Sequence, residues 1–331
     1  MTFSDRINTF GQFMLNKHGE RVHKISIDAG FDCPNRDGTI GRGGCTFCNN
    51  TSFSPNGRDP ASIPGQIAAG KRVIRKRTGA RKFIAYFQAY TNTYGDVERL
   101  RKLYDMALRD PDVIGLSVGT RPDCVPPSVL DLLVEYKDKG YEVWLELGLQ
   151  SAYNDTLMRI NRGHDRLAYK LAVQNAQSRN IDVCTHLIIG LPGETNNHAL
   201  RSLDYVLLLG VQGLKLHPLH VVKGTQLANS WRQGHYHPIS LQEYISTVAD
   251  LVERTPADII YHRVTGTASP DILLAPSWCA HKWIVLNGID LELQSRSTRQ
   301  GSRCRRNYLS KNTVPDRRAL SAQFRWPHFS G

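Results

Sequence analysis

Residues 141–149 read YEVWLELGL, and residues 181–189 read IDVCTHLII. Each is a short apolar run with the length of one buried strand. Residues 167–180 lie between them and read as a helix. The turn Gly190-Leu191-Pro192-Gly193 follows the second run, and its glycines and proline mark a strand end. The same rhythm continues outward. Upstream, strands are expected at 22–27, 83–87 and 113–118. Helices are expected at 63–77, from a cap at Asp96 to 109, and from Pro127 to a stop at Gly140. Downstream come a helix at 197–209, a strand at 214–217, a helix at 240–253, a strand at 259–263 and a helix at 278–293. Strand follows strand every roughly 30 residues, the size of a βαβ unit. The fold class is therefore α/β, a parallel sheet covered by helices. Periodicity does not choose between a doubly wound sheet and a (β/α) barrel. In both, function gathers at the C-terminal ends of the strands. No GxGxxG or GxxxxGK[ST] follows a strand, which argues against dinucleotide and P-loop sites.

The 331 residues are 40% apolar and 22% charged, which excludes wholesale disorder, collagen-like repeats and coiled coil. No apolar run approaches the length of a membrane span. Residues 1–20 contain no apolar segment of the signal-peptide kind, so the expected address is the cytoplasm. The net charge is +12. Residues 294–331 hold nine Arg or Lys against Asp316 alone and so supply +8 of it. Such a tail suits either a disordered terminus or a contact with nucleic acid. A second basic run is Lys71, Arg72, Arg75, Lys76, Arg77, Arg81 and Lys82. It reads as a solvated helix face or as a phosphate-binding one.

Seven cysteines are an odd number for a disulfide framework. Three of them, Cys33, Cys45 and Cys48, form the cluster C-PNRDGTIGRGG-C-TF-C directly after the first strand. Its glycines let the loop fold back tightly. Three thiolates on a loop at the active end of a sheet read as metal ligands. Zinc fits if His18, His23 or another histidine supplies a fourth ligand. An iron–sulfur cluster fits as well, and three ligands on four irons leave one iron open for catalysis. Spacing alone leaves both standing. Cys124, Cys184 and Cys279 read as small buried residues. His217, His220, His235, His237 and His262 show no tight ligand spacing apart from His235 and His237.

With the cysteines in view, the chain resembles the radical S-adenosylmethionine (SAM) enzymes, with Phe47 matching the aromatic residue before their third cysteine. The first gap is eleven residues rather than the usual three, a widening also seen in the Elongator catalytic subunit. Residues 146–151 (ELGLQS), 160–164 (INRGH) and 186–195 (HLIIGLPGET) resemble motifs of the branch holding Elongator and anaerobic coproporphyrinogen oxidase. Residues 33–50, 119–123, 216–224 and 262–266 are similar to the YhcC-type members. The resemblance covers residues 1–293.

It implies a partial (β/α)₆ TIM-like barrel over residues 1–225, with a C-terminal extension over 226–293 packing on it. It implies Cys33, Cys45 and Cys48 as ligands of a [4Fe-4S] cluster, with Gln150 and Arg162 binding SAM. His186 stands where the branch has an acidic ribose contact. Gln88, Ala89 and Tyr90 stand where it has a Gly-Gly-Glu-like stretch at the SAM amino group. Phe47 and Phe53 are candidate shields of the cluster. The implied chemistry is reductive cleavage of SAM to a 5′-deoxyadenosyl radical that abstracts hydrogen from a substrate. The electron donor would be of flavodoxin or ferredoxin type. The substrate stays open: the two basic stretches suggest a nucleic acid, and the resemblance to Elongator-like proteins suggests tRNA. The competing reading is a zinc-stabilised nucleic-acid-binding module without catalysis.

Overall fold

The computed structural model describes residues 3–49 and 63–304. Two helices lead, α1 (Phe3–Arg6) and α2 (Phe10–His18), followed by β1 (Val22–Ile27). Helix and strand then alternate through α3 (Ile63–Thr78), β2 (Lys82–Phe87), α4 (Val97–Leu108), β3 (Val113–Thr120), α5 (Pro127–Asp138) and β4 (Glu142–Gln150). Next come α6 (Asn154–Arg159), α7 (Arg166–Gln177), β5 (Asp182–Ile189), α8 (Asn196–Leu208) and β6 (Gly213–Pro218). The rest holds β7 (Val221–Val222), α9 (Gln226–Arg232), α10 (Leu241–Arg254), β8 (Ile260–Arg263), β9 (Leu273–Ala275) and α11 (Lys282–Ser295).

Strands β1 to β6 pair in chain order and β8 joins β6, giving one parallel sheet of seven strands. Curled, it is the expected partial barrel with one strand added. The stretch after 226 therefore extends the sheet through β8 and also lays α10 and α11 against the fold. Local chemistry sets the ends of the helices. Asp96 accepts from the Arg99 amide at 3.0 Å and starts α4. Ser240 and Glu243 form a reciprocal capping box on α10. Helix α7 stops before the expected 180 because Asn180 takes a left-handed φ of 56°.

The barrel interior is layered. At the N-terminal end of the strands, Phe10 and Met14 of α2 pack against Ile84, Trp144 and Cys184 and form an apolar floor. Phe10 meets Trp144 edge-on at 6.0 Å. Above the floor lies a layer of charged side chains. The mouth at the C-terminal ends carries the cysteine loop. Outside, residues such as Ile25, Phe83, Leu116, Leu145 and Val183 face the helices in one continuous core.

Residues expected to open a tail at 294 remain on the fold as far as Cys304. Arg296 bonds Asp250 at 2.6 Å. Gln300 is buried and donates to the carbonyls of Pro256 and Ile259 at 2.7 and 2.8 Å. Its own amide and side-chain oxygen bond Arg6 and Asn8. The basic residues from Arg305 onward lie outside the described residues, as does Phe53. Among the described residues, no helix is long and apolar enough to cross a membrane.

Candidate active site

The loop after β1 is tied down by the segment after α6. Thr46 donates its amide to the Ile160 carbonyl at 3.0 Å, and Asn161 Nδ2 donates to the Gly44 carbonyl at 2.8 Å. Asn35 Nδ2 reaches back to the Asn161 carbonyl at 2.7 Å and lies 3.7 Å from Cys45 Sγ. These bonds bring Cys33, Cys45 and Cys48 to the wall of one cavity at the barrel mouth. Cys45 is buried, and Arg162 donates to its sulfur at 3.5 Å. Burial, and then the neighbouring Cys45 and Cys33, push the Cys48 thiol up to about 12, against the pull of Arg36 and Arg162. Thiols that raise one another's pKa share one small region.

Five of the six expected cofactor contacts line the same cavity: Gln88, Tyr90, Gln150, Arg162 and His186. Ala89 does not; its side chain is buried behind the wall. The register of β4 against β5 shifts between Gly148 and Gln150, and Gln150 takes a φ of 76°. This bulge re-aims Gln150 into the mouth. Arg162 donates to the Gly148 carbonyl at 2.7 Å, and its buried Nε has no partner among the described residues. A Cβ on Gly148 would fall 2.7 Å from both Arg162 Nη2 and Gln150 Nε2, so a larger residue would push both side-chain ends from where they now sit. Phe47 also lines the cavity.

The two histidines named as possible zinc ligands are elsewhere. His18 bonds Glu142 at 3.0 Å at the start of β4, and His23 sits at the start of β1. Both are at the floor end of the strands, opposite the cysteine loop, so neither completes a Cys₃His site.

Sequence reasoning assigned no role to the charged layer beneath the cavity. Glu146 is fully buried. It accepts from Lys24 Nζ and Ser117 Oγ at 2.5 Å each, from His186 Nε2 at 2.6 Å, and from Lys215 Nζ. Lys24 also bonds His262 Nδ1 at 2.8 Å. Burial alone would raise the Glu146 carboxyl, but Lys215, Lys24 and His186 hold it well below the usual range. Burial pushes Lys215 down to about 7 despite Glu146. Cys184 lies beside Glu146 and His186, yet the carboxylate is committed to two ammonium groups. The trio is therefore part of a charge network. The available signal was parity: Lys24, Glu146 and Lys215 sit in mid-strand among apolar residues, and Glu146 is in phase with Gly148.

His186 and His220 are both pushed down to about 4, burial being the largest cause. His186 faces Glu146, Lys215, Lys24 and His217, and His220 faces Arg263, His217 and the Gly266 backbone. Unfolded imidazoles take up protons near 6.5, whereas the folded chain refuses them until about 4. Protons then favour the unfolded chain, and stability should fall as the pH drops through that window. Urea midpoints measured across it test this. The His220→Gln variant should flatten the slope, and an unchanged slope would remove His220 from the account.

A helix-wrapped half-barrel with three convergent thiols at its mouth defines the radical SAM class, and the chain belongs to the radical SAM superfamily, whose description it matches over residues 37–206. It is an enzyme of that class, with a [4Fe-4S] cluster and SAM as cofactors. The superfamily's C-terminal domain matches residues 211–295. Among individual proteins it is similar to protein YhcC of Escherichia coli (strain K12), 47% identical over 309 residues, covering 93% of this chain and 99% of that one. It is 39% identical over 299 residues to YtqA of Bacillus subtilis (strain 168), covering 89% and 92%. The solved structure of the archaeal Methanocaldococcus infernus Elp3 shares the fold at a TM-score of 0.60 and 18% identity, covering 84% of this chain and 64% of that one.

Proposed function

We propose that Cys33, Cys45 and Cys48 hold the [4Fe-4S] cluster and that Gln150, Arg162 and the backbone of residues 88–90 hold SAM beside it. The observation that carries this reading is the convergence of the three cysteines, Gln150 and Arg162 on one cavity. The donor set fits the cluster: three soft thiolates, with the N–H groups of Arg162 and Asn35 turned toward Cys45 sulfur. When bound, cluster and SAM together supply reductive cleavage to a 5′-deoxyadenosyl radical that abstracts hydrogen from the substrate. Arg162 positions SAM through its fixed guanidinium, which suits a carboxylate. His186, held by Glu146, lines the same cavity and would be available to the ribose of SAM. Phe47 and Tyr90 help keep water from the mouth. Cys33, Cys45, Cys124, Cys184 and Cys279 are free thiols, which suits a reducing cytoplasm and a flavodoxin- or ferredoxin-type electron donor.

For RNA as the substrate, support comes from charge and from the likeness to Elongator complex protein 3, and part of the basic run is already ion-paired. Lys71 is paired with Asp110 and Asp112, Arg75 with Asp112, and Lys82 with Glu20. The end of α3 also leads into the start of β2, at the floor end of the barrel.

Anaerobic reconstitution followed by reduction with dithionite in the presence of SAM tests the reading. The expected result is a brown protein that releases 5′-deoxyadenosine and methionine. A colourless protein carrying one zinc, or a cluster-loaded protein that releases neither product, would overturn it.

A further inference from the structure

The wall of the cavity built by the ends of β6 and β8 is not used by the residues assigned to cluster or SAM. Arg263 ends β8 and lines the cavity, and its guanidinium has no hydrogen-bond or ion-pair partner among the described residues. His217 of β6 and His220 after it line the same wall. The Gly266 backbone is wedged against both rings: a Cβ there would fall 2.6 Å from His217 Nδ1 and 3.5 Å from His220 Cε1. His220 bonds the Gly266 backbone, and its buried Nε2 is left without a partner. A buried polar nitrogen without a partner and an unpaired guanidinium on one wall call for a ligand.

Charge says which kind. Glu146 is the one carboxylate among the residues lining the cavity, and Lys24 and Lys215 already claim it. Arg121 on the other side is matched by Asp123 at 2.7 Å. Arg263 therefore adds positive charge to a cavity wall with no free carboxylate among the residues lining it. Its field helps keep His217 and His220 neutral after burial has lowered both, so each can offer one N–H without adding charge.

We propose that Arg263, His217 and His220 form an oxyanion subsite that grips a phosphate or carboxylate group of the substrate and holds its reacting carbon toward the cysteine side of the cavity. The assignment of this group to the substrate rests on the reading that this cavity is where the reaction occurs. Arg263 supplies the charge and the fork geometry, and the histidines supply single donors. The enzyme's substrate is thus an anionic molecule rather than a neutral or cationic one.

Calorimetric titration of the reconstituted protein, saturated with SAM and held at constant ionic strength, tests this with phosphate, pyrophosphate and succinate as probes. At least one probe should bind saturably, and which one does separates a phosphate from a carboxylate substrate. The Arg263→Gln variant should weaken that binding by about tenfold or more. Arg263→Lys, which keeps the charge, should lose less, and Arg72→Gln on the exposed face of α3 should lose nothing. The proposal is overturned by no saturable binding, by equal affinity in Arg263→Gln, or by binding that SAM abolishes, since Arg263 would then serve SAM. Cluster content and SAM affinity are measured on the same samples. If those fail, the radical reading falls by itself, and the titration on the cluster-free chain still decides the subsite.

Discussion

The Cys45→Ala variant should leave anaerobic reconstitution colourless, and its 5′-deoxyadenosine output should fall well beyond the about 100-fold that loss of a supporting hydrogen bond costs. Cys45 is the most enclosed of the three thiols, with Arg162 at 3.5 Å and Asn35 at 3.7 Å from its sulfur. Alanine would remove one of the three proposed ligands and leave those donors facing a methyl group. Cys279→Ala and Cys124→Ala serve as controls, because both thiols are buried and neither lines the cavity. They should cost some packing and keep the brown colour. Iron analysis and the visible spectrum read the outcome, and circular dichroism shows whether the variant is folded. A folded Cys45→Ala protein with a full cluster would sink the ligand assignment.

Replacing Glu146 with alanine should be the most damaging single change to stability. Among the described residues it strips the one paired carboxylate from Lys24 and Lys215 and leaves two amines without that partner inside the barrel. Breaking a buried ion pair from one side costs about 3–5 kcal/mol, out of a typical domain stability of about 5–15 kcal/mol. Urea unfolding should show a large drop in midpoint. Removing Lys215 as well, with Glu146→Gln and Lys215→Met together, should recover much of the loss, because the pair then leaves the interior as a unit. If the double variant were as unstable as the single changes summed, the coupling between the two groups would be absent.

The strands were legible because residues such as those of β4 and β5 form short apolar runs at βαβ spacing. The cysteine loop was legible because its three thiols are close in sequence, and Gln150 and Arg162 because their flanking motifs are specific. The charged layer was not legible. Parallel strands are buried on both faces, so apolar alternation does not mark the inward face, and the one local cue, a charged residue in mid-strand, does not say which charges meet. Lys24, Glu146 and Lys215 come from three distant strands, and only the barrel's curl brings them together. The zinc alternative is not favoured: His18 and His23 are near Cys33 in sequence yet sit at the other end of β1, and the chain matches the radical SAM superfamily. Helices α6 and α9 were missed because six and seven residues are too short for a periodic signal.

The chain that follows α11 has a practical bearing. Gln300 clasps Arg6 and Asn8, which lead straight into the helix stoppering the barrel. A shortened version trimmed at 293, the limit expected from the motifs, would cut this lashing and free the stopper from below; the family match runs on to 295 and the alignment to YhcC spans 309 residues. A minimal catalytic fragment has to run through Cys304, since its rear seam holds the vessel shut while the chemistry proceeds at the front.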